Sequence, residues 1–313
     1  MNKVFSKIIA TGSYLPKKIL TNQDIERIVD TSNDWIIERT GIEQRHIAST
    51  EESSVDMAYH ASLDAIQSSK IDTQDIDMIV VATTTPERKF PSTAVLLQNK
   101  LDLKNCSAFD INAACTGFVY AIDIADQYIK NGAVKNVLVI GTEKITSLLD
   151  WKDRNTCVLF GDGAGAVLLS ASETPGIISS TIVSDGSYKD LLTVNTEPEF
   201  IEMKGNDVFK IAVNTLGDLA IATLNKNNIS AEELDWFIPH QANSRIILAI
   251  AKKIDLPKEK IIITVNKHGN TSAASIPLAL DDSNKKGLLK EGNLIMFEAF
   301  GAGFTWGSNL LRF

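Results

Sequence analysis

Three polar residues of this sequence, Cys115, His240 and Asn270, are of types that together support thiol chemistry. Cys115 lies in Phe109-Asp-Ile-Asn-Ala-Ala-Cys-Thr-Gly-Phe-Val-Tyr, whose pattern predicts a strand, a tight turn and then a helix. A thiol at a helix N-terminus lies near free N–H groups and the positive end of the helix dipole, and both favour the thiolate. A buried structural cysteine is the alternative, since free cysteines are among the most buried residues. The motif alone does not choose between the two.

His240 and Asn270 each lie where an apolar run gives way to a polar loop. His240 follows Phe237-Ile-Pro at the predicted end of a strand, where one ring nitrogen can donate while a neighbour holds the other. Asn270 follows Lys267-His-Gly, where asparagine is typical of an ordinary turn. Each has an ordinary structural explanation when taken alone, and His268 is a rival for the histidine. The functional interpretation therefore depends on the three residues being brought together.

Alternating short apolar runs and helical patterns predict the elements that position these residues. Helical spacing of apolar residues is found over 118–129 and 244–254. The predicted buried strands are Ile79–Ala82, Ser107–Ile111, Val137–Ile140, Ile261–Val265 and Leu294–Phe297. Strands that alternate with helices predict an α/β architecture in which helices cover the sheets.

The two halves of the sequence resemble each other, which indicates a duplication. The segment that begins at Ile71 matches the one that begins at Ile229, and later matches occur in the same order. We therefore predict two α/β halves related by a pseudo-twofold axis, residues 1–170 carrying the cysteine and residues 171–313 carrying the histidine and asparagine. In this scheme Cys115 and Asn270 are equivalent and His240 ends the strand that matches 79–82. Ligand clefts commonly lie between such units.

Composition excludes several classes of protein. The 313 residues are 44% hydrophobic and 22% charged, which is typical of a globular protein and not of a disordered or coiled-coil chain. A net charge of −8 argues against a general affinity for nucleic acid or anionic lipid. The cysteines at 106, 115 and 157 lack metal-type spacing, and we predict reduced thiols, no metal and a cytoplasmic location. The N-terminal residues do not resemble a signal peptide, and no apolar run approaches the ~18 residues of a membrane span.

Across nearly its whole length the sequence resembles the 3-oxoacyl-[acyl-carrier-protein] synthase III family, the initiating condensing enzymes of type II fatty acid synthesis. The matching segments are Thr31-Ser-Asn-Asp-Trp-Ile-Ile-Glu-Arg-Thr-Gly-Ile, Asn112-Ala-Ala-Cys-Thr-Gly-Phe, Phe160-Gly-Asp-Gly-Ala-Gly-Ala, Ile238-Pro-His-Gln-Ala-Asn, Gly269-Asn-Thr-Ser-Ala-Ala-Ser and Phe300-Gly-Ala-Gly-Phe-Thr-Trp-Gly-Ser. Two positions depart from the family pattern: Thr116 replaces a common alanine, and Ala302 interrupts a frequent triple glycine.

The resemblance implies a thiolase-like fold with layers in the order αβαβα, and a catalytic triad of Cys115, His240 and Asn270. It implies an acyl-cysteine intermediate, formed from acyl-CoA and consumed by malonyl-acyl carrier protein. Backbone N–H groups of Cys115 and Ala302 would form the oxyanion hole. No metal or redox cofactor is required by this scheme.

The resemblance also implies binding sites and partners. Trp35 and Arg154 would hold the adenine of coenzyme A, with Arg39 near its phosphates. The pantetheine arm would be lined by Gly205, Asn206 and Asn243. The basic residues predicted to meet the carrier protein are Lys210, Arg245, Lys252 and Lys253, although a merely solvated helix face explains them equally well. Phe90 resembles a residue lent across a homodimer interface.

Two other activities stay open at this stage. A cysteine thioester hydrolase would use the same three side chains and let water attack the acyl-enzyme. A ketosynthase or acyltransferase of secondary metabolism would share the fold and use other acyl donors. Asn270 argues against the elongating synthases, which have a second histidine there.

Overall fold

The computed structural model of the protein describes residues 3–313. The first half contains β1 (Phe5–Tyr14), β2 (Lys18–Thr21), α1 (Asn22–Ile25), α2 (Asn33–Thr40), β3 (Gln44–Ile47), α3 (Ser54–Ser68), β4 (Met78–Ala82), α4 (Thr93–Lys100), β5 (Ser107–Ile111), α5 (Gly117–Lys130), β6 (Asn136–Glu143), α6 (Arg154–Cys157) and β7 (Gly163–Ser172). The second half contains β8 (Ile177–Ser184), β9 (Leu192–Val194), β10 (Ile201–Met203), α7 (Gly205–Lys226), β11 (Trp236–Pro239), α8 (Ser244–Lys253), α9 (Val265–His268), α10 (Ser275–Lys285), β12 (Leu294–Gly301) and β13 (Thr305–Arg312).

Each half is built around one large sheet. The first sheet has the order β1-β7-β6-β4-β5, with β4 parallel to both β5 and β6. The second has the order β11-β12-β13-β8, with β11 parallel to β12. All five residues of β4 are apolar and buried, as expected of a strand covered on both faces. The second sheet thus repeats the order β4-β6-β7-β1 of the first.

The sheets are stacked with helices inside and outside them, in the predicted αβαβα layers. Helices α5 and α10 form the inner layer, α3 packs outside the first sheet, and α7 packs outside the second. Because α5 contacts both sheets, most of its length is buried. The Phe118 ring of α5 lies 6.3 Å from that of Phe297 on β12, within a core that joins the two halves. The α/β prediction is therefore confirmed.

The offset between equivalent elements of the two halves is more regular than the sequence indicated. The paired elements β4 and β11 begin at 78 and 236, α5 and α10 at 117 and 275, and β6 and β12 at 136 and 294. Every one of these pairs is 158 residues apart. The first sheet ends with β7 at Ser172 and the second half begins its own sheet with β8 at Ile177. We propose that the division predicted after residue 170 lies in this turn.

The strand predicted over 261–265 is not formed, and that prediction is wrong. Ile261 makes only an isolated bridge to Phe237, and residues 265–268 form α9. The buried Gln241 side chain takes the place of a neighbouring strand: its oxygen accepts from Thr264 N at 2.8 Å and its nitrogen donates to Ile262 O at 3.1 Å. Buried backbone groups need a partner, and here an amide side chain supplies it.

Candidate active site

Cys115 lies in the short turn between β5 and α5, as the sequence predicts. A single 3₁₀ turn covers 114–116, and α5 begins at Gly117. Ala114 has a φ of 47°, in the left-handed region, and its N–H donates to Asn112 Oδ1 at 3.3 Å. Cys115 is half-buried, whereas Cys106 and Cys157 are buried. Of the three cysteines, Cys115 is therefore the one whose thiol reaches a cleft.

Burial raises the pKa of the Cys115 thiol to about 11, and the carboxylate of Glu143 adds to the rise. The Ser272 hydroxyl and the cysteine's own N–H oppose it by hydrogen bonding to the sulfur. The prediction that the local environment favours a resting thiolate is therefore wrong. Loss of hydration outweighs the helix N-terminus, so the resting residue is a thiol and its proton must be removed during attack.

Two cavities meet at Cys115. The first, which we call the entry cleft, has a volume of about 510 Å³ and is lined by residues that include Trp35, His240 and Asn270. The second, the side cavity, has a volume of about 680 Å³ and is lined by residues that include Ser272 and Ala302. A reactant held at the sulfur is therefore accessible from two directions.

His240 follows the last residue of β11 and is only 6% exposed. Its Nδ1 lies 2.6 Å from Ser275 Oγ, and that oxygen already accepts from Gln241 N at 3.3 Å. Where the Ser275 hydroxyl donates to Nδ1, the ring proton lies on Nε2 and can be donated to a ligand. Burial lowers the pKa of His240 to about 3, so the ring is neutral at physiological pH.

Asn270 is buried in the same cleft, and its orientation is fixed by three hydrogen bonds. Its Oδ1 accepts from Ser272 N at 2.9 Å, its backbone N–H donates to Leu159 O at 2.9 Å, and its carbonyl accepts from Gly161 N at 3.0 Å. With the oxygen occupied, the side-chain amide nitrogen is the group that can donate to a ligand.

The predicted equivalence of Cys115 with Asn270 is wrong. At the offset of 158 residues, the counterpart of Asn270 is Asn112 and that of Cys115 is Ala273. Both asparagines cap the same kind of turn, and Ser272 has a φ of 49°, close to that of Ala114. The two halves therefore use one turn geometry to present a thiol in the first and an amide in the second.

His268, the rival histidine, does not line the entry cleft. It is buried in α9 with its ring centroid 6.3 Å from that of His46. Burial lowers the pKa of His268 to about 4. His240 is therefore the imidazole that shares the entry cleft with Cys115.

The turn between β12 and β13 packs directly on the backbone of Cys115. A Cβ added to Gly301 would lie 2.8 Å from Cys115 N and 3.0 Å from Ala113 O. The next residue, Ala302, lines the side cavity. This close approach requires glycine and places Ala302, whose backbone N–H is predicted to belong to the oxyanion hole, in the turn that packs on Cys115.

A Gly301→Ala substitution is expected to lower the turnover number for condensation about 10²-fold, because a shift of the turn misplaces the reacting groups. The added methyl meets fixed backbone, so the turn itself must move. Steady-state kinetics and a thermal melt measure the two consequences. Gly186→Ala is the matched control, since its added Cβ meets no atom within 4 Å. Equal activity in both variants would show that the turn does not need this close contact.

Comparison with known proteins identifies the family. The sequence matches 3-oxoacyl-[acyl-carrier-protein (ACP)] synthase III over residues 109–186 and its C-terminal region over 224–313. It is 52% identical to the beta-ketoacyl-[acyl-carrier-protein] synthase III of Xanthomonas oryzae, with 99% of each chain covered. The chain belongs to the 3-oxoacyl-[acyl-carrier-protein] synthase III family. It is accordingly a condensing acyltransferase of fatty acid synthesis.

Solved structures of the synthase III family have the same fold. The enzyme from Aquifex aeolicus superposes with a TM-score of 0.96 at 50% identity, over 98% of this chain and 100% of the other. A priming β-ketosynthase of the R1128 polyketide pathway has a TM-score of 0.96 at 32% identity, over 99% and 97%. The thiolase-like fold is therefore confirmed, and this synthase III has a structural relative in polyketide synthesis.

The synthase III residues predicted to bind coenzyme A line the entry cleft, with one exception. The cleft-lining members are Trp35, Arg39, Gly205, Asn206 and Asn243. Arg154 instead packs on the rim, with its guanidinium carbon 5.0 Å from the Trp35 ring centroid and Nη1 donating to Asp30 O at 3.0 Å. A ring placed between Trp35 and Arg154 must displace this exposed side chain.

The predicted carrier-protein residues lie on α7 and α8, but they are not equivalent. Lys210, Arg245 and Lys252 are exposed, and the Arg245 guanidinium carbon lies 5.3 Å from the Phe209 ring centroid at the cleft. Lys253 instead donates to Asn214 O at 3.1 Å and pairs with Asp218 at 2.8 Å. Lys253 thus links α8 to α7.

Sequence reasoning missed four polar residues of the site: Gln241, Ser275, Ser272 and Glu143. Ser275 hydrogen bonds to His240 and to the backbone of Gln241, and Ser272 hydrogen bonds to Glu143 on the other side of Cys115. Gln241 and Ser275 were visible only as motif neighbours. Glu143 ends an apolar strand. The one available sign of its role in the sequence was therefore a charged residue at a position predicted to be buried.

Proposed function

We propose that the protein joins an acyl group from acyl-CoA to malonyl-acyl carrier protein by decarboxylating Claisen condensation, which initiates fatty acid synthesis. One observation supports this most strongly: a half-buried thiol shares a cleft with a neutral imidazole and an asparagine amide. Both nitrogen groups donate hydrogen bonds without carrying a positive charge. This is the combination that carbanion chemistry at a thioester requires.

In the first half-reaction, the Cys115 sulfur attacks the acyl-CoA carbonyl while its proton leaves. The tetrahedral oxyanion accepts from the backbone N–H groups of Cys115 and Ala302, and collapse expels coenzyme A. The acyl group is then held as a thioester of the enzyme.

In the second half-reaction, malonyl-acyl carrier protein occupies the entry cleft. Its thioester oxygen accepts from His240 Nε2 and from the Asn270 amide nitrogen as carbon dioxide leaves. The electron pair of the broken C–C bond forms an enolate, which attacks the acyl-cysteine carbonyl. The C–S bond to Cys115 then breaks, the sulfur leaves with its electron pair and takes up a proton, and the 3-oxoacyl product stays on the carrier protein. The neutral ring, with a pKa of about 3, stabilises the enolate charge and is a poor proton donor to the carbanion. No electron is gained or lost overall, so the reaction needs no redox cofactor.

Coenzyme A would occupy the entry cleft along its length. Trp35 and Arg154 would stack with the adenine, Arg39 would meet the phosphates, and Asn243 would bind the pantetheine arm. Gly205 and Asn206 would line the same arm. All of these residues except Arg154 line one cavity together with Cys115, which supports this assignment.

A priming ketosynthase of polyketide synthesis is the second candidate, supported by the shared fold with the R1128 enzyme. The identity of 32% with that enzyme is lower than the 52% with a curated fatty acid synthase III, so the fatty acid reaction is favoured. The acyl product formed from acetyl-CoA and longer acyl-CoAs distinguishes the two.

The carrier protein would dock on exposed basic residues of α7 and α8, of which Arg245 lines the entry cleft. Lys210, Arg245 and Lys252 are the three available charges, while Lys253 is engaged by Asp218. On a protein of net charge −8, a local positive surface is suited to an acidic partner.

Reversal of charge in Arg245→Glu and Lys252→Glu is expected to raise KM for malonyl-acyl carrier protein about tenfold and to spare loading from acyl-CoA. The matched control is Lys226→Glu, sixteen residues from Lys210 on the same helix, or about 24 Å along its axis. Condensation kinetics with each substrate varied separately measure the effect. An equal loss of loading and carrier-protein turnover would refute the docking surface.

Phe90 supports a homodimer, because it is 84% exposed although it is a large apolar side chain. We propose that it is covered by the partner subunit of a homodimer. The three free cysteines are consistent with a reducing cytoplasm, where acyl-CoA and the carrier protein would be encountered.

A further inference from the structure

Glu143, the last residue of β6, is a wholly buried carboxylate close to the sulfur. It accepts from Thr84 N at 3.1 Å and from Thr85 Oγ1 at 2.6 Å. It also accepts from Ser272 Oγ at 3.2 Å. Burial raises the pKa of Glu143 to about 7, although these hydrogen bonds oppose the rise. A carboxyl group with this pKa exchanges a proton readily at neutral pH.

Ser272 connects this carboxylate to the nucleophile. Its hydroxyl donates to Glu143 at 3.2 Å, and Ser272 lines the side cavity together with Cys115, whose thiol pKa the hydroxyl lowers. Its backbone has a φ of 49°, and Asn270 Oδ1 holds its N–H. A non-glycine residue kept in the left-handed region is typical of functional sites. The turn therefore fixes the backbone that presents this hydroxyl to Glu143.

We propose that Cys115, Ser272 and Glu143 form a proton relay that activates the thiol for acylation. This inference rests on the proposed function and adds the base which that function needs. In this relay Ser272 exchanges a proton with the reacting sulfur and is a catalytic residue, whereas Glu143 acts through it as a positioning residue and proton acceptor.

The relay conserves protons in each step. As the sulfur attacks, its S–H bond breaks and the proton passes to Ser272 Oγ, while the original Ser272 proton passes to Glu143. The sulfur electron pair forms the new C–S bond. When the bond to coenzyme A breaks, the proton returns from Glu143 through Ser272 to the departing sulfur. The carboxylate is thus restored for the next cycle.

His240 is poorly suited to this task. A pKa of about 3 makes its ring a weak base, and Ser275 occupies Nδ1. It also lines the entry cleft, whereas Glu143 approaches the sulfur through the residue that lines the side cavity. Acylation and condensation therefore use separate groups on two sides of Cys115.

Other charged groups near Glu143 are engaged elsewhere or open to the side cavity. Lys144 donates to the carbonyls of Ser49 and Glu52, both at 2.7 Å. Asp162 accepts from Thr146 and Ala48. The other charged side chains that line the side cavity are Glu52, Glu87 and Glu199. A change in the reactivity of Cys115 near pH 7 is therefore assigned to ionisation of Glu143.

The test measures alkylation of Cys115 by iodoacetamide, followed by intact mass between pH 6 and 9, in Glu143→Gln and Ser272→Ala. The wild-type rate is expected to rise with pH through about 7, since the carboxylate form is the base. Both variants should lose this rise, and their rates at pH 7.5 should fall about 10²-fold. Asp162→Asn, another buried carboxylate, is the matched control and should retain the rise.

The opposite sign would overturn the relay. The negative charge of Glu143 by itself raises the thiol pKa, so its removal without a relay would accelerate alkylation. Unchanged rates in both variants would also overturn it. Ser272→Ala guards against misfolding, because Ala114 adopts the same left-handed conformation in the equivalent turn.

A second arm, acylation by acetyl-CoA, separates this inference from the proposed function. A wild-type protein that is alkylated as described but takes up no acyl group from acetyl-CoA or from a panel of longer and branched acyl-CoAs would refute the function and leave the relay standing. Acetyl transfer that is unaffected in both variants would refute the relay and leave the function standing.

Discussion

A Cys115→Ala variant is expected to take up no acyl group from acyl-CoA and to lose condensation by about 10⁶-fold, as when a covalent nucleophile is removed from other enzymes. The reason is positional. Cys115 is the thiol at the junction of the two cavities, and its turn is held between Asn112 and Gly301. Intact mass spectrometry and product formation from malonyl-acyl carrier protein measure the two losses.

The controls for this prediction are Cys106→Ala and Cys157→Ala. Burial raises the pKa of each of these thiols to about 11, as it does for Cys115, but neither lines the entry cleft or the side cavity. Both should remain active, which separates the position of the thiol from its acidity. An active Cys115→Ala enzyme would contradict the covalent mechanism.

The second large effect is expected for His240→Ala and Asn270→Ala. Each variant should lower the condensation rate about 10²–10³-fold, the usual cost of losing one donor to a developing oxyanion. Acylation of Cys115 should be nearly unchanged, because the two side chains act on the second thioester. Rapid-quench measurement of both half-reactions provides the comparison.

The pH dependence of the same step tests the protonation of His240. Since burial lowers its pKa to about 3, the neutral ring persists throughout the range from pH 5 to 9. The decarboxylation rate should therefore show no inflection near 6.5, where an ordinary histidine titrates. If His240→Ala instead lost acylation to the same extent as condensation, His240 would be assigned to activation of the Cys115 thiol.

The fold was largely predictable because the sequence repeats a clear physical pattern. The apolar run at 79–82 and the amphipathic stretch at 244–254 became β4 and α8 with small changes of boundary. The run at 261–265 is similarly rich in β-branched residues but lies in a segment whose backbone groups at 262 and 264 hydrogen bond to Gln241. Local pattern does not report which distant side chain supplies such hydrogen bonds.

The sequence predicted which residues belong to the site. It did not predict which positions of the two turns correspond, or the pKa of the thiol. Residue types and flanking motifs indicated Cys115, His240 and Asn270, yet the turn equivalence was displaced by three residues. The thiol pKa depends on burial by both halves and on Glu143, which lies 28 residues away in sequence. Ser272 has its role only because the second half folds against the first.

The central claim is tested most directly by trapping and then discharging the acyl-enzyme. Wild-type protein is incubated with labelled acyl-CoA, digested and mapped by mass spectrometry, and a second portion is chased with malonyl-acyl carrier protein. The mechanism predicts label on the peptide that contains Cys115, followed by its quantitative transfer to a 3-oxoacyl carrier-protein product. Label on another residue, or its release as free acid during the chase, would contradict it.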